Sequence, residues 1–397
     1  MKYFTYFFLF IYLSYFSQGI LYEEESIFSK GLLLCFFGIC GWGIIKVLMD
    51  KPNGFSKILL LFVLMQFVYF LFSTKYAISG SHRIISSIPQ LTGIFISLLP
   101  FYPLYYCARR DNLSSGLLFF LVACLVLYIF RFFNMQHELV FESGQDSEAV
   151  VNNVSYAFIK LLPFTCLLFN RKIFSMGIWG CCMGLILLGA KRGAILTGIV
   201  AAILYIWYLL KYTWREKNGF YILLICIVVA IGGYCGYRFI LSNDFVAGRF
   251  LELAEGNDSG RTYLYVRIFD YWKNTPSLLH LLFGFGFNSS ITIAGNFAHN
   301  DWLELLSCCG VFGVIIYSLL FIQAIRYIRL LRQTPALQSM LVMIIICWLA
   351  MSAFSMGYTD MTLFSILLGY IMGTRESAAY NNIKCRKVNG SYAHLYR

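Results

Sequence analysis

The stretch GLLLCFFGICGWGIIKVLM, residues 31–49, shows why this chain folds as it does. It carries one lysine and has no charged face. A helix rises about 1.5 Å per residue, so roughly 17 to 25 apolar residues cross the hydrocarbon core of a bilayer. Similar runs occur at 58–72, ILLLFVLMQFVYFLF, and at 116–130, GLLFFLVACLVLYIF. Because a backbone in lipid must satisfy its hydrogen bonds within the segment, each run predicts a membrane-spanning helix.

The composition of the whole chain agrees with this prediction. Hydrophobic residues make up 59% of the 397 positions and charged residues 13%, about half of what a soluble domain carries. A membrane β-barrel would alternate apolar and polar residues, and these runs do not. The 13 cysteines lie mostly inside hydrophobic runs, where free cysteine behaves as a small buried hydrophobe. The predicted fold is therefore an all-α integral membrane protein with about twelve transmembrane helices and one large, partly helical periplasmic loop.

Loop charges predict the topology. Lysine and arginine in short loops mark the cytoplasmic side of a membrane protein, and every loop is basic on the side that includes the N-terminus. The prediction is a multi-pass membrane protein with both termini in the cytoplasm. Basic cytoplasmic loops that attract anionic lipids account for the net charge of +12, so no nucleic-acid partner is implied. The predicted spans are 4–20, 31–49, 58–73, 84–104, 114–131, 154–169, 173–190, 193–210, 220–240, 301–323, 337–354 and 360–373.

These spans divide the chain into four regions. Residues 1–240 form about nine N-terminal spans, 241–300 a large extracytoplasmic loop, 301–374 about three C-terminal spans, and 375–397 a basic cytoplasmic tail. Long loops in compact membrane proteins are usually functional or disordered. A second outer feature is the basic turn Lys191-Arg192 in LLGAKRGAIL, which runs against the bias of positive charge to the inside.

Several kinds of catalytic site find little support in the sequence. The five histidines lack the HExxH spacing of a zinc hydrolase, and no GxSxG nucleophile motif is present. GFGFNSS, 284–290, has no strand-helix context for a dinucleotide, and we interpret it as a turn that brings backbone close to helices. The remaining class of chemistry is group transfer from a diphosphate leaving group. Arginines stabilise the departing phosphate oxygens, and histidine is the usual base near neutral pH.

Three motifs in order resemble the O-antigen polymerase and ligase family. AHNDWLELLSCCGVFG, 298–313, is similar to its His-Asn-x-x-Leu-x-x-Leu-x-x-x-Gly-x-x-Gly signature, and Gly284 and Gly286 form a preceding Gly-x-Gly turn. Ser259-Gly260-Arg261 resembles the family's Gly-Arg element. Lys191-Arg192-Gly193-Ala194 resembles its Ser-Arg element, with Lys191 in place of the usual serine. The first half of the chain resembles the family only in hydropathy and number of spans.

The resemblance implies a metal-independent glycosyltransferase without a cofactor. His299 would be the catalytic base, and Arg192 and Arg261 would clamp the diphosphate. Lys191 and Arg267 are predicted to add positive charge to that clamp, and Tyr265, Trp302 and Asn300 are candidate sugar contacts. Structural roles stay open beside these: His299 could cap a helix that Asn300 and Asp301 start, Arg261 could pair with Asp258 or Asp270, and Arg192 could reach to lipid headgroups.

The predicted function is an O-antigen or polysaccharide polymerase of the cell envelope, acting in lipopolysaccharide or polysaccharide biosynthesis. It would move glycan repeat units from undecaprenyl diphosphate to an acceptor sugar hydroxyl at the periplasmic face. One alternative is an O-antigen ligase that attaches the finished glycan to a lipid A-core or other acceptor. The other is a polysaccharide transporter or flippase without enzymatic activity. Expected partners are the undecaprenyl-diphosphate-linked glycan, the acceptor glycan or lipid, membrane lipids, and a chain-length regulator or flippase proteins.

Overall fold

The protein is built from helices throughout the part that the structure describes. The computed structural model describes residues 1–21, 26–50, 52–76, 82–143, 150–254 and 260–393, and no strand occurs within these ranges. The α-helices in chain order are α1 Lys2–Leu21, α2 Ile27–Met49, α3 Gly54–Tyr76, α4 His82–Leu98, α5 Phe101–Ala108, α6 Ser114–Ser143, α7 Ser155–Leu161, α8 Lys172–Leu188, α9 Arg192–Arg215, α10 Gly219–Ser242, α11 Asp244–Ala254, α12 Arg261–Lys273, α13 Leu278–Phe283, α14 Ser289–Ala294, α15 Asp301–Leu330, α16 Pro335–Phe354 and α17 Thr362–Ala393. A 3₁₀ segment, Leu162–Arg171, joins α7 to α8.

Helices coincide with all twelve predicted spans, which confirms the all-α membrane fold. Among the described residues, nine segments are long and apolar enough to cross a bilayer. One of these, Ser155–Leu188, contains two of the predicted spans. Its two ends lie together, because the Asn152 amide donates to the Gly189 carbonyl at 2.9 Å. The segment is therefore a hairpin that turns back where the 3₁₀ segment meets α8.

One end of the helix bundle collects the loops predicted to be cytoplasmic. The Asn53 side chain donates to the Tyr327 hydroxyl at 2.7 Å and to the Glu376 carboxylate at 3.0 Å. Tyr105 donates to the same carboxylate at 2.5 Å. This polar network ties the start of α3 and the ends of α5 and α15 to the middle of α17. Glu376 lies within α17, so the predicted cytoplasmic tail begins as a continuation of that helix.

The opposite end collects the loops predicted to face outward. Asn288 donates to the Ser87 hydroxyl at 3.0 Å, and Asn300 donates to the Ala353 carbonyl at 3.2 Å. The sorting of loops into two ends thus follows the alternation predicted from their charge. Which end faces the cytoplasm stays a prediction.

The loop at 241–300 contains the four short helices α11 to α14, of which α12 and α14 pack on the start of α15. A small apolar cluster of its own holds this region together, made of Ile268, Ile293, Ala294 and Ala298. Helix α10, by contrast, is apolar and almost entirely exposed. Such a surface fits contact with lipid rather than water.

Candidate functional site

The loop is fixed to the bundle at a break in α15. Gly310 lies inside this helix at φ 63° and ψ −160°, outside the helical region. Next to the break, the Phe285 amide donates to the Ser307 carbonyl at 2.8 Å, and the Gly286 amide donates to the Cys308 carbonyl at 3.0 Å. The loop thereby satisfies carbonyls that the broken helix leaves without their usual partners. The expectation that the Gly-x-Gly turn brings backbone close to a helix is confirmed.

Glycine is required on both sides of this contact. A β-carbon at Gly310 would lie 2.5 Å from the Leu282 carbonyl oxygen, and one at Gly284 would lie 2.5 Å from the Cys308 carbonyl oxygen. Both glycines also have positive φ, which side chains disfavour. This geometry explains why glycine stands at Gly310, the first glycine of the sequence signature, and at Gly284 in the Gly-x-Gly turn before it.

A buried carboxyl group holds the segment that carries His299. Glu304 is fully buried in the first turns of α15. One of its oxygens accepts from the Ser290 hydroxyl at 2.6 Å, and the other accepts from the Ala298 amide at 2.9 Å. Glu304 therefore joins α14 and the residue before His299 to the start of α15. From the sequence, Glu304 was recognisable only as an acidic residue near the end of a span.

His299 itself adopts an uncommon backbone conformation. Its φ is 49°, in the left-handed region that few non-glycine residues occupy. Ala298 on one side is held by Glu304, and Asn300 on the other side caps α15. Such conformations persist where the surroundings over-determine them, and they concentrate at functional sites. The capping role considered for His299 belongs to Asn300, whose side-chain oxygen accepts from the Trp302 amide at 3.0 Å.

Asp301 fixes the other side of the same helix start. Its fully buried carboxyl group accepts from the Tyr317 hydroxyl at 2.6 Å and from the Tyr358 amide at 3.2 Å. These bonds connect the beginning of α15 with the segment between α16 and α17. The first turns of α15 are thus anchored to two other parts of the outer end, and His299 precedes them directly.

Two cations act on the His299 imidazole. Burial lowers the pKa of His299 below its usual 6.5, and the positive charges of Arg261 and Lys191 lower it further. The imidazole is therefore neutral at neutral pH, the form in which it can accept a proton. Arg261 begins α12 after Gly260, and its guanidinium donates to the Phe354 carbonyl at 3.1 Å.

The basic turn comes to the same place from α9. Lys191 is the residue before the first turn of α9, and Arg192 is its first residue. Both side chains are half-buried. The hydrogen bond of Gly189 to Asn152 holds this turn against the start of α7. The structure therefore brings His299, Arg261 and Lys191 together, with Arg192 next to Lys191 in the chain.

Other candidate residues lie elsewhere or have other contacts. Arg267 is exposed and donates to the Tyr263 hydroxyl at 2.9 Å, one turn earlier in α12. It lies six positions after Arg261, which turns it about 120° away around the helix axis. Trp302 is partly buried and packs against the apolar core, with its ring 5.1 Å from that of Tyr317. A role of Trp302, Tyr265 or Asn300 in sugar binding stays a prediction.

Tyr156 in α7 also lies at the site, although nothing in the sequence singled it out. A β-carbon at Gly193 would overlap its hydroxyl, so that hydroxyl lies against the first turn of α9. Arg261 and Tyr265 are close enough to act on it electrostatically. The chain has 28 tyrosines, and position within a span does not single out this one.

The buried lysine of the same helix is accounted for by a partner. Lys160 donates to the Asp360 carboxylate at 2.5 Å, from a side chain that is 4% exposed. A partner is what a charge at such a position needs. In the described ranges, no group of three or more histidine, cysteine, aspartate or glutamate side chains is arranged to hold a metal ion. Metal independence stays a prediction.

A comparison with known protein families tests the resemblance seen in the sequence. Residues 177–318 match the O-antigen ligase family. This O-antigen ligase match includes Lys191, Arg192, Arg261 and His299, and it extends past Gly310. It confirms the similarity to the O-antigen polymerase and ligase family that the three motifs predicted. No curated protein sequence shows a significant match to the chain.

Proposed function

We propose that this membrane protein transfers a glycan from undecaprenyl diphosphate to an acceptor sugar hydroxyl, and that it acts as an O-antigen or polysaccharide polymerase. The observation that supports the chemistry is the His299 imidazole, whose pKa is lowered by burial and by the adjacent Arg261 and Lys191. A neutral base next to cations is what proton removal and loss of a diphosphate require together.

The reaction would be a single displacement. The acceptor hydroxyl gives its proton to His299 while its oxygen bonds to the anomeric carbon of the donor glycan. The bond from that carbon to the phosphate oxygen breaks, and its electron pair leaves with undecaprenyl diphosphate. Arg261, Lys191 and Arg192 would stabilise the charge that builds on the phosphate oxygens. Attack opposite the leaving group inverts the anomeric configuration.

The same cations would also reset the base. A protonated His299 next to Arg261 and Lys191 is disfavoured by like charge, so it releases its proton to water after the transfer. The diphosphate carries its negative charge away with the lipid. In this scheme Arg261 and Lys191 act both on the leaving group and on the base.

The proposed location is the periplasmic face of the bacterial inner membrane. The site lies at the end of the bundle whose loops are poorest in basic residues, apart from the Lys191-Arg192 turn and the 241–300 loop. A lipid-linked donor would present its diphosphate at the membrane surface, where these two features meet.

A ligase is the second candidate, because the matched family is described as O-antigen ligase. The donor chemistry would be the same, and only the acceptor would differ. A ligase would attach the finished glycan to a lipid A-core or another acceptor, whereas a polymerase would extend a lipid-linked chain.

The test is His299→Ala in the native host, with His137→Ala as the matched control. His137 is exposed on α6, and its replacement should leave the surface glycan unchanged. We expect His299→Ala, expressed at the wild-type level, to abolish transfer. Single repeat units reaching the surface would indicate a polymerase, and full-length glycan retained on the carrier would indicate a ligase. Wild-type glycan in this variant would refute the assignment of the base.

A purified assay tests the enzyme class directly. Wild-type protein in detergent should elongate or transfer an undecaprenyl-diphosphate-linked glycan in the presence of a chelator. Activity that disappears with the chelator and returns with a divalent cation would overturn metal independence. Transport of the lipid-linked glycan across vesicles without any transfer would favour the transporter alternative.

A further inference from the structure

The Tyr156 hydroxyl is a buried polar group at the end of the bundle that holds His299. Tyr156 is 7% exposed, and its hydroxyl has no hydrogen-bond partner among the residues that the structure describes. Buried hydroxyl groups are normally paired, and leaving one unpaired destabilises the folded protein. Tyr205 in α9 shows the usual arrangement, because its buried hydroxyl is 2.7 Å from that of Ser175.

The surroundings of this hydroxyl are those of the proposed diphosphate clamp. It lies against Gly193, the residue after Arg192. A β-carbon on Gly193 would also come within 3.3 Å of Phe354, whose carbonyl accepts from Arg261. Arg261 in α12 and the start of α9 therefore both lie close to the hydroxyl that α7 contributes.

A phenol hydroxyl at this position suits an anionic ligand. It can donate one hydrogen bond to a phosphate oxygen, and bonds to charged acceptors are among the stronger ones. Being neutral, it adds a donor without adding repulsion to Arg261 or to the N-terminal end of α9. Any side chain at Gly193 would occupy the space next to the hydroxyl, which is consistent with glycine at that position.

We propose that the Tyr156 hydroxyl is a binding group of the donor site, donating a hydrogen bond to a phosphate oxygen of the lipid diphosphate held by Arg261 and Arg192. This inference rests on the proposed function, since it names a further contact for the same donor. The hydroxyl, which has no partner among the described residues, would gain one when the donor binds.

The test compares Tyr156→Phe with Tyr205→Phe in the purified full-length protein. The probe is undecaprenyl diphosphate in detergent micelles, and the measurements are its Kd and the Tm of each variant. Tyr156→Phe should weaken binding by about tenfold to a hundredfold, as expected for a lost hydrogen bond to a charged group, with an unchanged or higher Tm. Tyr205→Phe should lower the Tm, because it removes the hydrogen bond between the two buried hydroxyls, and should leave the Kd unchanged.

The outcomes separate this inference from the proposed function. Equal binding by wild type and Tyr156→Phe would overturn the inference and leave the function standing. No binding of undecaprenyl diphosphate by wild type would refute the function itself. A second titration uses phosphatidylglycerol, a lipid monophosphate. If Tyr156→Phe weakened only phosphatidylglycerol binding, the hydroxyl would serve a membrane headgroup, and the inference would be wrong.

Discussion

Gly310→Ala tests whether the break in α15 positions the loop that carries His299. The substitution adds one methyl group where φ is 63°. That methyl would lie 2.5 Å from the Leu282 carbonyl oxygen and 2.6 Å from the Gly284 amide nitrogen. Both neighbours are backbone atoms that cannot rotate away, so either the helix or the loop must move.

The expected destabilisation follows from the contacts that would be lost. At φ 63° and ψ −160°, a region that essentially only glycine occupies, a residue with a side chain is strained by about 1–3 kcal/mol. Displacement of the loop would break the bonds from Phe285 to Ser307 and from Gly286 to Cys308, each contributing about 0.5–1.5 kcal/mol. Together these give roughly 2–6 kcal/mol. The loop carries the catalytic candidate, and a misplacement of about 1 Å can cost about a hundredfold in rate, so kcat/KM should fall at least about tenfold.

Hydrogen exchange locates the effect, and an ordinary helix glycine provides the control. The amides of Phe285 and Gly286 should exchange faster in Gly310→Ala, and the protein should melt at a lower temperature in detergent. Gly184 lies on an exposed face of α8, and an added β-carbon there meets no atom within 4 Å. Gly184→Ala should therefore keep wild-type activity and gain up to about 1 kcal/mol of helix stability.

Wild-type exchange at Phe285 and Gly286 in an active Gly310→Ala protein would refute this reasoning. It would mean that α15 can accept a side chain at the break without moving the loop. A Gly310→Ala protein as stable as Gly184→Ala would lead to the same conclusion.

Two further predictions concern His299. Glu304→Leu removes both acceptor oxygens, so the Ser290 hydroxyl and the Ala298 amide each lose a hydrogen bond, at about 1–3 kcal/mol apiece. The kcat should fall with little change in donor Kd, and wild-type kcat would contradict a positioning role. Lys191→Met removes a positive charge that lowers the pKa of His299, so that pKa should rise. Activity needs the neutral imidazole, so the acidic limb of the pH-rate profile should move to higher pH, and an unmoved limb would show that Lys191 does not act on the base.

The sequence by itself determined the membrane fold and the alternation of the loops. Each predicted span coincides with a helix because the bilayer sets the length of apolar chain that must satisfy its own backbone. The basic loops could be placed at one end of the bundle and the Lys191-Arg192 turn at the other, because the number of basic residues in each loop is read from the local sequence. The signature around His299 was also visible, since its residues lie close together in the chain.

Tertiary structure alone decided which residues of one type meet at the site. Arg261 and Arg267 lie in the same short helix, yet only Arg261 faces Phe354, because the phase of α12 is set by its packing on α15. Asn300 caps α15, and Trp302 packs its ring against the apolar core, a contact that its residue type alone did not predict.

Tertiary structure also decided the contacts of groups whose partners lie far away in the chain. Tyr156 meets Arg261 across about a hundred residues, and Gly310 meets Leu282 only because the loop folds back onto α15. Local composition sets how long a segment is and how apolar it is. It carries no information about which face of that segment another element covers, and that contact decides whether a tyrosine is core or part of a binding site.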